Sequence, residues 1–146
     1  MIRPNSGLIL HSLLNTPDRI GLPLHALSSD GTVVKSFGAT APNVRPGQDA
    51  DSYRVIAPSS DAVWSARINK YTMEKWSAAG VQQLAVSRTV PWFKPWAEQT
   101  ALPPDVSRPS PRIRGIREDD EGRLWTFVWR AESDWRRGSR VELQRP

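Results

Sequence analysis

The sequence predicts an all-β chain assembled from repeated small antiparallel sheets, and three observations carry that expectation. The phrase DAVWSARI at 61–68 returns as GRLWTFVW at 122–129, each time as a turn residue leading into an apolar-Trp-Ser/Thr strand. An apolar residue lies eight or nine positions upstream of each Trp: Val55 and Ile56 before Trp64, and Ile116 before Trp125. Repetition at a spacing of tens of residues marks stacked units, because one small sheet cannot bury both of its faces alone. The second observation is that strand-like runs alternate with Gly-, Pro- and Asp-bearing turns along most of the chain, and the third is that helical periodicity is scarce.

Taken in order, GLILHSLL at 7–14 is a first apolar run, closed by the breakers Asn15, Pro17 and Asp18. GLPLHALSSDGTVVKSFG at 21–38 follows, and residues 23–38 read as a strand pair turning at Asp30-Gly31, where Gly supplies the positive φ of a tight turn. TAPNVRPGQDAD at 40–51 holds Pro42, Pro46 and Gly47 and reads as a connection. From residue 52 come four strand-like pieces, YRVIA, AVWSARI, YTMEKWS and VQQLAVS, joined by SSD, NK and AAG. Four short strands with tight turns make one propeller blade. The competing reading is a helix over TMEKWSAAGVQQLA at 72–85, rich in helix formers, but Gly80 in its middle costs about 1 kcal/mol. Shifting 24–37 by 49 residues also lays Asp30-Gly31 on Ala79-Gly80, so a hairpin is expected at both.

Residues 89–111 carry six of the thirteen prolines. So many residues without an N–H do not belong to a central sheet, which predicts a long surface connection. PRIRGIREDDEGRLWTFVW at 111–129 gives two more strands around an Asp/Glu-Gly turn, and Val141 and Leu143 suit a short strand in the charged tail. Trp64 and Trp125, at matching positions, are expected in the core, with Trp76 and Trp129 filling the layer between units.

Composition narrows function more than it defines it. Mean hydropathy is −0.50 and 38% of the 146 residues are hydrophobic, compatible with one packed domain. Without cysteine there are no disulfides or Cys-based zinc sites, while the compartment stays open. No run approaches the roughly 18 apolar residues of a membrane-spanning helix, and the apolar stretch in MIRPNSGLILHSLLNT is short for a secretory signal. The net charge is +5, and residues 108–145 hold ten Arg. Seven acids share that stretch, including Glu118, Asp119, Asp120 and Glu121, so the charges interleave and the reading favours a mixed solvated surface over a nucleic-acid site.

Catalytic signatures are thin. His11 and His25 alternate with apolar residues in LILHSLL and PLHAL, a setting typical of structural histidines. HExxH, GxSxG, P-loop and dinucleotide fingerprints are missing. Asp61, Asn69 and Glu74 are the nearest raw materials for a metal, at a spacing that matches no defined ligand pattern, and the acidic run at 118–121 lacks the alternation of a calcium loop. No cofactor is called for. Trp92, Phe93 and Trp96 cluster on the Pro-rich connection and are the candidate contact residues for a ligand or partner; the competing role is to staple that connection to the body.

The segments GLPLHALSSDGTVVKSFG, VWSARINKYTMEKWSAAG with RTVPWF, and PRIRGIREDDEGRLW together resemble the bacterial six-bladed β-propeller proteins related to the NHL-repeat group. The resemblance covers about two-thirds of the chain. It implies approximate blades at 1–39, 52–88 and 111–146 around the connection at 89–111, an exported parent protein, and contact loops such as 15–21, 57–61, 69–70 and 118–122. A closed six-bladed ring needs about twice this length, so two to three blades of an incomplete ring are expected. Three readings follow: a fragment of a longer propeller, which is preferred, a ring closed by self-association, or a small independent β domain. The expected role is non-catalytic binding of a protein or small ligand, or scaffolding. The alternatives are a lactonase-like, metal-assisted hydrolase and an Arg-rich nucleic-acid binder.

Overall fold

The described residues of the computed structural model, 8–11, 22–38, 53–95 and 109–131, form nine strands in three antiparallel sheets. The first sheet holds β1 (Leu8–His11), β2 (Leu24–Leu27) and β3 (Val33–Phe37) in that order. The middle sheet is a four-stranded meander of β4 (Arg54–Pro58), β5 (Ala62–Arg67), β6 (Thr72–Ser77) and β7 (Gln82–Ser87). The third is the hairpin of β8 (Arg112–Glu118) and β9 (Leu124–Trp129). The helix alternative over 72–85 gives way to β6, a turn and β7. Residues 40–51, Trp96, Val141 and Leu143 lie outside the described residues.

Local turn chemistry explains where the strands break. Three hairpins use the same three-residue loop, in which a Gly N–H donates back three positions: Gly31 to the Ser28 carbonyl, Gly80 to Ser77 and Gly122 to Asp119, at 2.9–3.0 Å. Each Gly is in the left-handed region (φ 85°, 71° and 76°), as a type I turn closed by a bulge requires. The β4–β5 hairpin is tighter, with Ser59 N–H donating to the Ala62 carbonyl at 3.0 Å across Ser60-Asp61.

Packing follows from β5, in which every residue from Ala62 to Ala66 is buried. Successive side chains of a strand point to opposite faces, so burial of all five means that both faces of the middle sheet are covered at β5, while the outer strand β7 is exposed throughout. On one face Val63 and Trp76 pack with Leu24, Ala26 and Phe37 of the first sheet. On the other, Trp64, Ala66 and Met73 pack with Ile113 and Ile116 of the third sheet and with Phe93. Complete burial of a side chain such as Ile113 contributes about 1.5–3 kcal/mol. The backbone also joins the units, through Ile113 N–H to the Ile68 carbonyl at 3.1 Å.

Two expectations about tryptophan need correction. Trp64 is 5% exposed, but Trp125, at the matching repeat position, is 55% exposed. Each Trp stands at the second strand pair from its hairpin turn; the difference is that no sheet covers the far face of β8–β9 among the described residues. Trp76 does fill an intersheet layer, tilted against Phe37 at 5.6 Å. Trp129 belongs to the third sheet, on no strand neighbouring β6, and is exposed.

The turn glycines differ in what surrounds them, which sets a direct comparison. A Cβ on Gly31 would meet nothing within 4 Å, whereas one on Gly80 would lie 2.9 Å from the Phe37 ring in the core. Gly31→Ala is therefore expected to cost only backbone strain, about 1 kcal/mol, and Gly80→Ala about 2–4 kcal/mol once core displacement is added. Urea midpoints of the two variants measure the difference.

Candidate functional site

The strands run so that their connections collect at two opposite ends of the stack. The turns at 59–61, 78–80 and 119–122 lie at one end, where the Lys75 ammonium reaches Glu118 at 3.4 Å. The 69–70 turn and the start of the Pro-rich connection lie at the other, where Arg88 N–H donates to the Tyr71 carbonyl at 2.9 Å. The sequence-derived contact loops 57–61 and 118–122 therefore do not share an end with 69–70. Loop 15–21 lies outside the described residues.

At the second end Tyr71 is the residue that sequence reading missed. It is buried at the entry to β6, and its hydroxyl shares a hydrogen bond with Thr126 Oγ1 at 2.7 Å, linking the middle and third sheets. Its ring stacks on Phe93 at 5.4 Å and is tilted against Trp92 at 6.1 Å. Phe93 is buried in the core between these two sheets, while Trp92 stays 40% exposed with the Arg130 guanidinium 5.6 Å from its ring centre. Trp92 and Phe93 thus divide the two roles: one ring anchors the connection and the other faces outward. Trp96 lies outside the described residues. Two cavities touch Pro109, one of about 360 Å³ against Trp92, Pro91, Lys94 and Arg130, the other of about 320 Å³ between Arg112, Arg114 and Trp129.

The outer face of the third sheet forms a second feature. Trp125, Phe127 and Trp129 alternate along β9 and are all exposed. Phe127 lies opposite Gly115, and its ring comes within 3.3 Å of where a Cβ would stand, so the glycine lets the ring lie down on the strand. Trp125 is held too: its indole N–H donates to Asp119 Oδ2 at 2.8 Å, and Arg123 Nε donates to the same oxygen at 2.8 Å. These donors, Trp125 first and then Arg123, hold the Asp119 carboxyl at about 2. Glu118 is also lowered, chiefly by the Ser59 hydroxyl and further by Lys75 and Trp64. Glu118, Asp119 and Glu121 of the acidic run are in this way committed to turn closure and to neighbouring side chains.

The residues considered for chemistry are dispersed. Asp61 precedes β5 and Asn69 follows it, so the two stand at opposite ends of a strand about 20 Å long. Glu74, midway along β6, accepts from Arg67 Nη2 at 2.8 Å on the face turned toward the first sheet, in line with buried Ser65 and Arg54. His25 is completely buried and hydrogen-bonded to Ser36 Oγ at 2.8 Å. Among the described residues no group of three or more His, Cys, Asp or Glu is placed to hold a metal, and no helix is long and apolar enough to cross a membrane.

No protein-family model, curated protein or solved structure gives a significant match to the chain.

The repeat pair offers an internal control on burial. Trp64→Ala should destabilise the chain by about 3–5 kcal/mol, as removal of a buried aromatic does, and Trp125→Ala by no more than about 1 kcal/mol; thermal or urea unfolding of both variants checks the contrast. The Asp119 clamp has a pH signature. An unperturbed Asp protonates near 3.9, so a folded value near 2 makes its contribution complete above about pH 4 and lost as pH falls through about 2. Carboxyl-carbon NMR titration should place the Asp119 midpoint near 2, with the Trp125 indole N–H resonance moving at the same pH.

Proposed function

We propose that the chain is a non-catalytic binding or scaffold module of β-propeller type, and a part of a longer propeller. The observation that carries the reading is the contrast between Trp64, closed in by the next sheet, and Trp125, at the equivalent place in β9 and open. The register repeats with it. Ala57 is opposite Trp64 in the middle sheet, and Arg117 is opposite Trp125 in the third. The third sheet therefore presents to the outside the face that the middle sheet presents to its neighbour.

An exposed row of Trp125, Phe127 and Trp129 is larger than the scattered apolar residues of an ordinary monomer surface. Trp125 is restrained in advance by its hydrogen bond to Asp119, and Phe127 lies against Gly115, which lowers the entropy lost when a partner settles on these two rings. A further antiparallel sheet, from a longer parent or from a second copy, is the natural cover. The scattering of Asp61, Asn69 and Glu74 and the pairing of Glu74 with Arg67 favour holding a partner over turning over a substrate.

Light scattering over a protein concentration series tests the proposal. The isolated chain should associate with increasing concentration, and Phe127→Lys, which puts a charge in the middle of the row, should lower the mean mass while far-ultraviolet circular dichroism stays β-type. A folded chain that remains monomeric throughout the series would overturn the reading and leave a self-contained small β domain.

A further inference from the structure

We propose that the surface around Pro109, where the two cavities meet, binds single-stranded nucleic acid. In sequence the arginines of 108–145 interleave with acids, but among the described residues the fold sets Arg112 and Arg114 apart from Glu118 and Asp119. β8 is seven residues long, about 24 Å, with Arg112 and Arg114 near one end and Glu118 at the other. Asp119 beyond it is engaged by Arg123 and Trp125. The end that remains carries Lys94 and Arg130 in one cavity and Arg112 and Arg114 in the other. Among the described residues no acidic side chain lines either cavity, and Arg114 makes no ion pair.

Each group of cations comes with an indole. Trp92 stands beside Lys94 and Arg130, and Trp129 beside Arg112 and Arg114; both rings are close to half exposed. Trp92 is kept in position by Tyr71 and Phe93, with the Arg130 guanidinium 5.6 Å from its ring centre, so ring and cation are presented together. A ligand that uses both features carries planar rings at intervals along an anionic backbone. Aromatic platforms edged by cations bind single strands in this way, with little dependence on sequence.

Anisotropy of fluorescein-labelled dodecamers of thymidine and of adenosine, titrated with the intact chain, tests the proposal. We expect saturable binding at 50 mM salt, weakened about tenfold or more at 200 mM, as three or so neutralised phosphates require. Arg114→Ala and Trp92→Ala should each weaken binding at least about threefold, with Trp92→Phe recovering most of the loss because a ring is restored. Arg114 is exposed, so its variant tests the site even if Trp92→Ala disturbs the connection. The proposal is overturned by absence of binding at about 100 µM protein, the weak limit for non-specific sites. It is equally overturned if heparin or duplex of equal length competes as well as single strand while Trp92→Ala changes nothing, since charge alone then explains the binding. Trp129 is shared with the outer row, so the titrations use samples that light scattering shows to be monomeric, with Phe127→Lys replacing the unchanged chain wherever that chain associates; mass then scores the scaffold reading and anisotropy scores this one.

Discussion

Burial of both faces of the middle sheet at β5 is the constraint on which the rest depends. A sheet with Val63 and Trp76 on one side and Trp64, Ala66 and Met73 on the other is stable only if two further layers exclude water from it. The first and third sheets supply those layers with short strands of their own, and the Pro-rich connection adds Phe93 to one of them. Three small sheets, none with enough apolar surface to stand alone, become one structure because each completes the cover of its neighbour. The same logic leaves a face over at the end of the stack, and that face is the aromatic row of β9.

Polar groups follow the layers. Where the first and middle sheets meet, Glu74 and Arg67 enter the interface as a pair, because a single buried charge would be costly. Where the middle and third sheets meet, the contacts are split between ends: Lys75 and Glu118 at one, and Tyr71 with Thr126 at the other. Tyr71 suits its place because its ring fills the core beside Phe93 while its hydroxyl satisfies a partner on the next sheet.

The candidate site was legible in part. That Trp92 and Phe93 belong together on a connection was visible as a cluster between prolines, but which one turns inward was not, since both are large aromatics on an irregular segment. Tyr71 gave no signal beyond being aromatic at the start of a strand, for its partners are 55 residues away at Thr126 and 22 away at Phe93. Asp119 was readable as a turn residue, yet its grip on Trp125 depends on how the hairpin folds the indole back over the turn. The separation of Arg112 and Arg114 from Glu118 was hidden because alternation along a sequence says nothing of the length of strand that lies between charges.

By itself the sequence determined the strands and their turns: the four strands from 52 to 88, the paired strands at 23–38 and 111–129, and the glycines between them. These are local properties, set by side-chain alternation and by the steric freedom of glycine over three to seven residues. Only the tertiary structure decided which of two equivalent tryptophans is buried, which face of β9 stays open and which charges share an end. Exposure is a property of what lies across an interface, and two strands with the same phrase differ when one has a sheet packed over it and the other does not.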